Sequence, residues 1–101
     1  MNHRAIDFAE VNTAALAVLP TLACRWAPQG VRRGVEWVAL NPRRQDRRLG
    51  SFSINLRTGR WADFATGEKG GDVVSLAAYL SGVGQVEAAR ALANMLGVRG
   101  G

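Results

Sequence analysis

Six consecutive residues carry the strongest chemical signal in this chain. Arg43-Arg44-Gln45-Asp46-Arg47-Arg48 gathers four guanidinium groups in a polar stretch that follows Asn41-Pro42 and ends at Gly50. Guanidinium is planar, offers paired donors to phosphate and stacks on bases, so the stretch suits a polyanion. In a loop, such groups can follow an irregular phosphate path. Asp46 is placed to hold one of these arginines. Arg57 and Arg60 flank Thr58-Gly59 and extend the same chemistry, and Lys69 completes the set of candidate cations. Trp61 follows Arg60, and an aromatic ring beside a basic groove is how proteins stack the bases of a single strand. The alternatives are a solvated arginine loop with local ion pairs and a core tryptophan.

The distribution of charge supports the polyanion reading. The chain carries a formal +5, but the excess is concentrated in residues 25–60. That segment holds nine arginines (25, 32, 33, 43, 44, 47, 48, 57 and 60) against Glu36 and Asp46, a net of +7. Residues 1–24 and 61–101 each sum to −1. Twelve of the thirteen cations are arginine, which favours bidentate phosphate contacts. A block of this kind points to nucleic acid; a solvated face that aids solubility is the rival explanation.

Other chemistries lack their residues. With one cysteine, Cys24, and one histidine, His3, the chain can form neither an internal disulfide nor a four-ligand zinc site of the usual Cys/His kind. Cys24 reads as a small core residue. No paired carboxylates or nucleophile–base set is evident, so the expectation is a protein that is not an enzyme and uses no cofactor. Gly67-Glu68-Lys69-Gly70-Gly71-Asp72 precedes a helix and could cradle a phosphate. It lacks the Lys-Ser/Thr of a nucleotide-binding loop, and Asp72 would repel an anion, so a structural turn is the stronger reading. No apolar run reaches the roughly 18–20 residues of a membrane span. Met1-Asn2-His3-Arg4 lacks the apolar stretch of a signal peptide, so a cytoplasmic location without membrane partners is expected.

At 101 residues, the chain has the length of one small domain, with residues 5–34 as an N-terminal helical region and 35–98 as the core. Phe8, Val11, Ala15, Leu16 and Leu19 fall near helical spacing over 5–19, and Asn12-Thr13 could instead cap a second helix. Pro20 ends the pattern or begins another turn. Residues 21–26 fit helix or strand, and Pro28-Gln29-Gly30 signals a turn. Residues 35–40 are β-rich. Phe52, Ile54 and Leu56 alternate with Ser51, Ser53 and Asn55, the pattern of a half-buried strand. Arg57-Thr58-Gly59-Arg60 then reads as a hairpin turn, with Gly59 at positive φ. The return strand, 61–64, places Trp61 and Asp63 on one face and Ala62 and Phe64 on the other. Asp72 is positioned to cap a helix over about 73–81, stopped by Ser81-Gly82. A last helix over about 85–96 would turn Val86, Ala89, Leu92, Ala93 and Leu96 inward and stop at Gly97.

The order of these parts resembles the zinc-ribbon module at the N-terminus of bacterial and phage DNA primases, over about residues 36–98. Ser51-Phe52-Ser53-Ile54 is similar to the family's Ser-Phe-x-Val strand. Trp61-Ala62-Asp63-Phe64-Ala65-Thr66-Gly67 resembles its aromatic-x-Cys-Phe-x-Cys-Gly segment. Gly70-Gly71-Asp72-Val73-Val74-Ser75-Leu76 resembles its turn and helix start, and Gln85-Val86-Glu87-Ala88-Ala89 with Leu92-Ala93 its Glu-Ala-x-x-x-Leu-Ala helix. Where the family carries its cysteine pair this chain has Asp63 and Thr66, and Asn41-Pro42-Arg43-Arg44-Gln45 holds none of the first ligand pair. The resemblance implies an α+β domain: a small antiparallel zinc-ribbon-like sheet without metal, flanked by N- and C-terminal helices. It also implies a non-catalytic, zinc-independent DNA-binding module of replication type, from a phage or mobile element. Single-stranded DNA would be its favoured partner, alongside a primase or helicase subunit. The alternative is a module that docks to such a subunit as a protein. Zinc supplies such ribbons with about 10 kcal/mol of folding free energy. Burial of Trp26, Trp37, Trp61 and the N-terminal helices would have to replace it. Asp63 is expected to bond Thr66 or to pair with an arginine of the 43–48 loop, mimicking the metal's constraint.

Overall fold

A computed structural model describes residues 6–44 and 49–98. The chain enters through α1, Phe8–Ala17, whose first turn is capped by the Asp7 carboxylate accepting from the Glu10 N–H at 3.0 Å. At Val18 the backbone leaves helical geometry, and α2, Leu19–Trp26, restarts with Pro20 in its first turn, where a missing N–H does no harm. The break therefore falls at Val18 rather than at Asn12-Thr13, and residues 21–26 are helical. Because α2 has its own phase, Leu19, Leu22 and Ala23 turn inward. Cys24, expected in the core, is exposed on the opposite side.

Five strands follow: β1, Gly30–Arg33; β2, Glu36–Ala39; β3, Phe52–Asn55; β4, Trp61–Asp63; and β5, Glu68–Gly70. They form an antiparallel meander in sequence order. β2, β3 and β4 lie where the sequence places strands. β1 and β5 correct it: β5 lies in the 67–71 stretch read as a turn, and β1 starts at Gly30 of the turn signal and runs on inside the stretch expected to be helical. Neither has an inward apolar alternation: β1 is largely exposed and β5 is Glu-Lys-Gly. They form because each pairs with a strongly patterned neighbour, Val31 opposite Val38 and Ala62 opposite Lys69.

Two helices close the fold, α3, Val73–Ser81, and α4, Gln85–Leu96. Asp72 caps α3 as expected, accepting from the Ser75 N–H at 2.8 Å, and Gly82 and Gly97 end the two helices in the left-handed conformation. The α4 stripe is Ala88, Ala89, Leu92 and Ala93, while Val86, expected inward, is half-exposed in the first turn, as is Phe8 at the start of α1. The architecture is α+β, an antiparallel sheet with helices before and after it.

All helices supply the core on one side of the sheet. Phe52, Ile54 and Trp61 project from the sheet into a cluster with Val11, Leu19 and Leu22 of α1–α2, and with Val74, Leu76 and Leu92 of α3–α4. Each large side chain so buried contributes roughly 1.5–3 kcal/mol. The core tryptophans also satisfy their indole N–H groups: Trp37 donates to the Ala27 carbonyl at 3.0 Å and Trp61 to the Ser75 hydroxyl at 2.9 Å. These rings need glycine opposite them. A Cβ on Gly70 would lie 2.2 Å from Ser75 Oγ and 2.4 Å from Trp61 Nε1. Gly59, at φ +82°, makes the expected hairpin turn.

Replacing Gly70 with Ala should therefore force the Trp61–Ser75 pair apart and cost about 1–3 kcal/mol in chemical denaturation. Gly71→Ala, whose Cβ meets open space, is the control and should be near neutral. Equal stability of the two variants would contradict this account of the tryptophan seat.

Candidate nucleic-acid interface

The site begins with the alternation in β4. Trp61 and Asp63 point to the core face, and Ala62 and Phe64 to the outer face, as the sequence pattern requires. That alternation buries a carboxylate: Asp63 has no exposed surface. A buried charge needs partners of opposite charge and hydrogen-bond donors, and four residues on two segments of chain supply them. The Asn41 amide donates to Oδ2 at 2.6 Å, and Arg44 Nε lies 3.1 Å from the same oxygen. The second oxygen, Oδ1, accepts from Arg44 Nη2 at 3.3 Å and from the N–H groups of Ala65 and Thr66 at 2.9 and 3.3 Å. Burial pushes the Asp63 carboxyl up, but the Asn41 amide, the Ala65 N–H, the Arg44 charge and the Thr66 N–H outweigh it and hold it below the usual carboxylate range.

The network continues outward. Asn41 Nδ2 also donates to the Tyr79 hydroxyl at 2.8 Å, and that hydroxyl donates to Glu68 at 3.2 Å. Burial, partly opposed by the Asn41 amide, raises the Tyr79 hydroxyl's pKa. The Tyr79 ring stacks on Trp61 with centroids 4.6 Å apart. The Arg43 guanidinium lies over the same Tyr79 ring, 5.0 Å from its centroid, and the Arg43 main-chain N–H donates to Asn41 Oδ1 at 2.8 Å. The expected Asp63–arginine pair is thus present, with Arg44 as the arginine, and Thr66 contributes through its main chain.

This geometry divides the residues proposed from sequence. Arg44 is turned inward, half-buried between Asp63 and the Ser51 hydroxyl, so it holds the loop instead of presenting a guanidinium to a ligand. Trp61 is buried with its indole committed to Ser75, which corrects its reading as a stacking platform. Arg43, Arg57, Arg60 and Lys69 are exposed. Arg47, Arg48 and Asp46 lie outside the described residues. The start of α3 does not offer a phosphate cradle: the Val74 N–H is taken by Asn12 at 2.9 Å and the Ser75 N–H by Asp72.

The outer face of the sheet holds what the sequence reading missed. Cross-strand register places Arg33, Glu36 and Asn55 in one row, and Val38, Ser53, Ala62 and Lys69 in the next. Phe64 extends β4 by a bond from its N–H to the Ser51 carbonyl at 2.7 Å. Its ring is 74% exposed, far more than any other large apolar side chain among the described residues. A shallow trough of about 540 Å³ lies on this face, lined by Glu36, Ser53, Asn55, Arg60, Ala62, Phe64 and Lys69 with the edge of Trp61 and the Gly70-Gly71 backbone. Phe64 was legible, since the alternation that buries Asp63 must expose its neighbour. Asn55 was legible on the polar face of its strand by the same alternation, and Glu36 carried no signal until the strands were paired.

Among the described residues, no group of three or more His, Cys, Asp or Glu side chains could hold a metal ion, and no helix is long and apolar enough to cross a membrane. No protein-family model matches the chain, and no curated protein matches it in sequence.

The depressed pKa of Asp63 makes a signed prediction. Its contribution to stability is fully present above the unfolded carboxyl pKa of about 3.9 and is lost as pH falls through the lower folded value. Asp63→Ala should cost about 3 kcal/mol near neutrality, the low end for a broken buried pair because Arg44 can turn toward water. In urea titrations, the gap between the wild type and this variant should close progressively below about pH 4. A gap that stays constant into acid would contradict the ionised, donor-fed state of Asp63.

Proposed function

We propose that this chain is a non-catalytic, zinc-independent nucleic-acid-binding module of replication type that takes single-stranded DNA on the outer face of its sheet. The observation that carries the reading is Phe64, an exposed aromatic ring in one trough with Arg60 and Lys69. A base stacks on any aromatic face, and two neighbouring cations hold the phosphates on either side. Duplex DNA suits this surface less well, because its bases are already stacked on one another. Arg57 on the hairpin turn and Arg43 on Tyr79 extend the positive field around the sheet, within a segment of net charge +7. The resemblance to primase zinc ribbons agrees with this role, in the cytoplasm and beside a primase or helicase subunit.

A second reading is docking to such a subunit as a protein. It is favoured by a groove of about 560 Å³ between α2, α3 and α4, lined by Trp26, Pro42, Leu80, Val83, Leu92 and Met95.

Fluorescence anisotropy with labelled single-stranded DNA across a salt series separates the readings. The wild type should bind with an affinity that falls steeply with salt. Phe64→Ala should lose about 1–3 kcal/mol of binding without loss of fold, and Arg60→Ala with Lys69→Ala should reduce the salt slope by about 2. DNA affinity that is unchanged in Phe64→Ala would remove the outer face as the site. No binding at low salt would move the function to the apolar groove.

A further inference from the structure

The trough contains a carboxylate that a purely phosphate-binding surface would exclude. Glu36 stands on β2 on the outer face, half-buried, in the same cross-strand row as Asn55. The Ser53 hydroxyl donates to its Oε1 and fixes the direction of the group. Arg60 and Lys69 lie across the trough on the β4–β5 side, two to three strands away, or roughly 10–15 Å at the usual strand spacing. Arg33, exposed on β1, is the cross-strand partner of Glu36 outside the trough, so within the trough lining Glu36 is the one acceptor-only group, facing the two cations.

We propose that Glu36 reads the base: the outer face prefers single strands whose bases present amino or imino donors, guanine, cytosine and adenine, over thymine and uracil. This inference rests on the nucleic-acid reading above and goes beyond it in naming the base chemistry. A carboxylate repels phosphate, so a strand seated in the trough runs its backbone past Arg60 and Lys69, the cations that line it, and turns a base toward Glu36. A carboxylate has only acceptors to offer. Guanine answers with N1–H and N2–H side by side, cytosine with its N4 amino group and adenine with its N6 amino group. Thymine and uracil have a single N3–H between two carbonyl oxygens, and those oxygens oppose the carboxylate. Stacking on Phe64 is indifferent to this distinction, and of the polar side chains lining the trough Glu36 is the acceptor-only one.

The test compares pyrimidines, which are matched in size and stacking. Affinities of the full chain for short dC and dT homopolymers are measured at neutral pH by anisotropy, together with those of Glu36→Gln, whose amide keeps the shape and the acceptor for Ser53 but adds a donor. The wild type should bind dC at least about 5-fold more tightly than dT, the lower range for one specific base contact. Glu36→Gln should bring the two within about 2-fold, chiefly by strengthening dT, whose carbonyl oxygens now meet a donor. Equal wild-type affinity for dC and dT, with binding intact, would overturn the inference and leave the nucleic-acid reading standing. A dC preference that persists in Glu36→Gln would also overturn it. Absence of binding to both strands would overturn the inference together with the reading beneath it.

Discussion

One buried carboxylate ties this structure together. Asp63 receives donors from Asn41 and Arg44 in the β2–β3 connection and from the Ala65 and Thr66 main chain after β4, and through Asn41 it reaches Tyr79 on α3. An anion at the centre gathers N–H donors from two separate stretches of chain. Removing any one partner would leave the rest with a buried charge incompletely satisfied, which is far costlier than losing a surface ion pair.

Apolar burial surrounds this network and adds to the stability of the fold. Trp61 packs between Phe52 and Tyr79, with centroids 6.3 and 4.6 Å away, so the aromatic cluster sits directly beside Asp63. α1 and α2 add Val11, Leu19 and Leu22 to the same core. The Asn12 amide of α1 reaches the first turn of α3 and joins the helical layer at both ends of the sequence. The side of the sheet facing these helices is closed by them, which leaves the outer face as the broad unlayered surface. The residue that anchors the core, Asp63, thereby fixes the orientation of its neighbour Phe64 on that surface.

Local patterns explain which parts were legible from sequence. The Ser-Phe-Ser-Ile-Asn alternation, the Asp72 cap and the two helix-ending glycines define β3, α3 and α4 almost to the residue. β1 and β5 were illegible because short polar strands exist only through their partners. Cys24 was misplaced because the helix break at Val18 resets the phase of the apolar stripe. The pairing of Asp63 with an arginine could be anticipated from charge alone. The choice of Arg44, and the bridging role of Asn41, could not, because both depend on how the β2–β3 connection folds back over β4. Tyr79 gave no signal at all: a tyrosine in an apolar helix reads as core, and here it is a core ring with a hydroxyl in the polar network.

The central claim is that single-stranded DNA lies on the outer face of the sheet, and backbone amide chemical shifts in an ¹H–¹⁵N titration with a short single strand test it most directly. The account predicts that the largest changes fall on Ser53, Asn55, Ala62, Phe64 and Lys69, with those of Trp26, Leu80 and Met95 unmoved. Changes confined to the α2–α3–α4 groove, or none at all with DNA in excess, would contradict it.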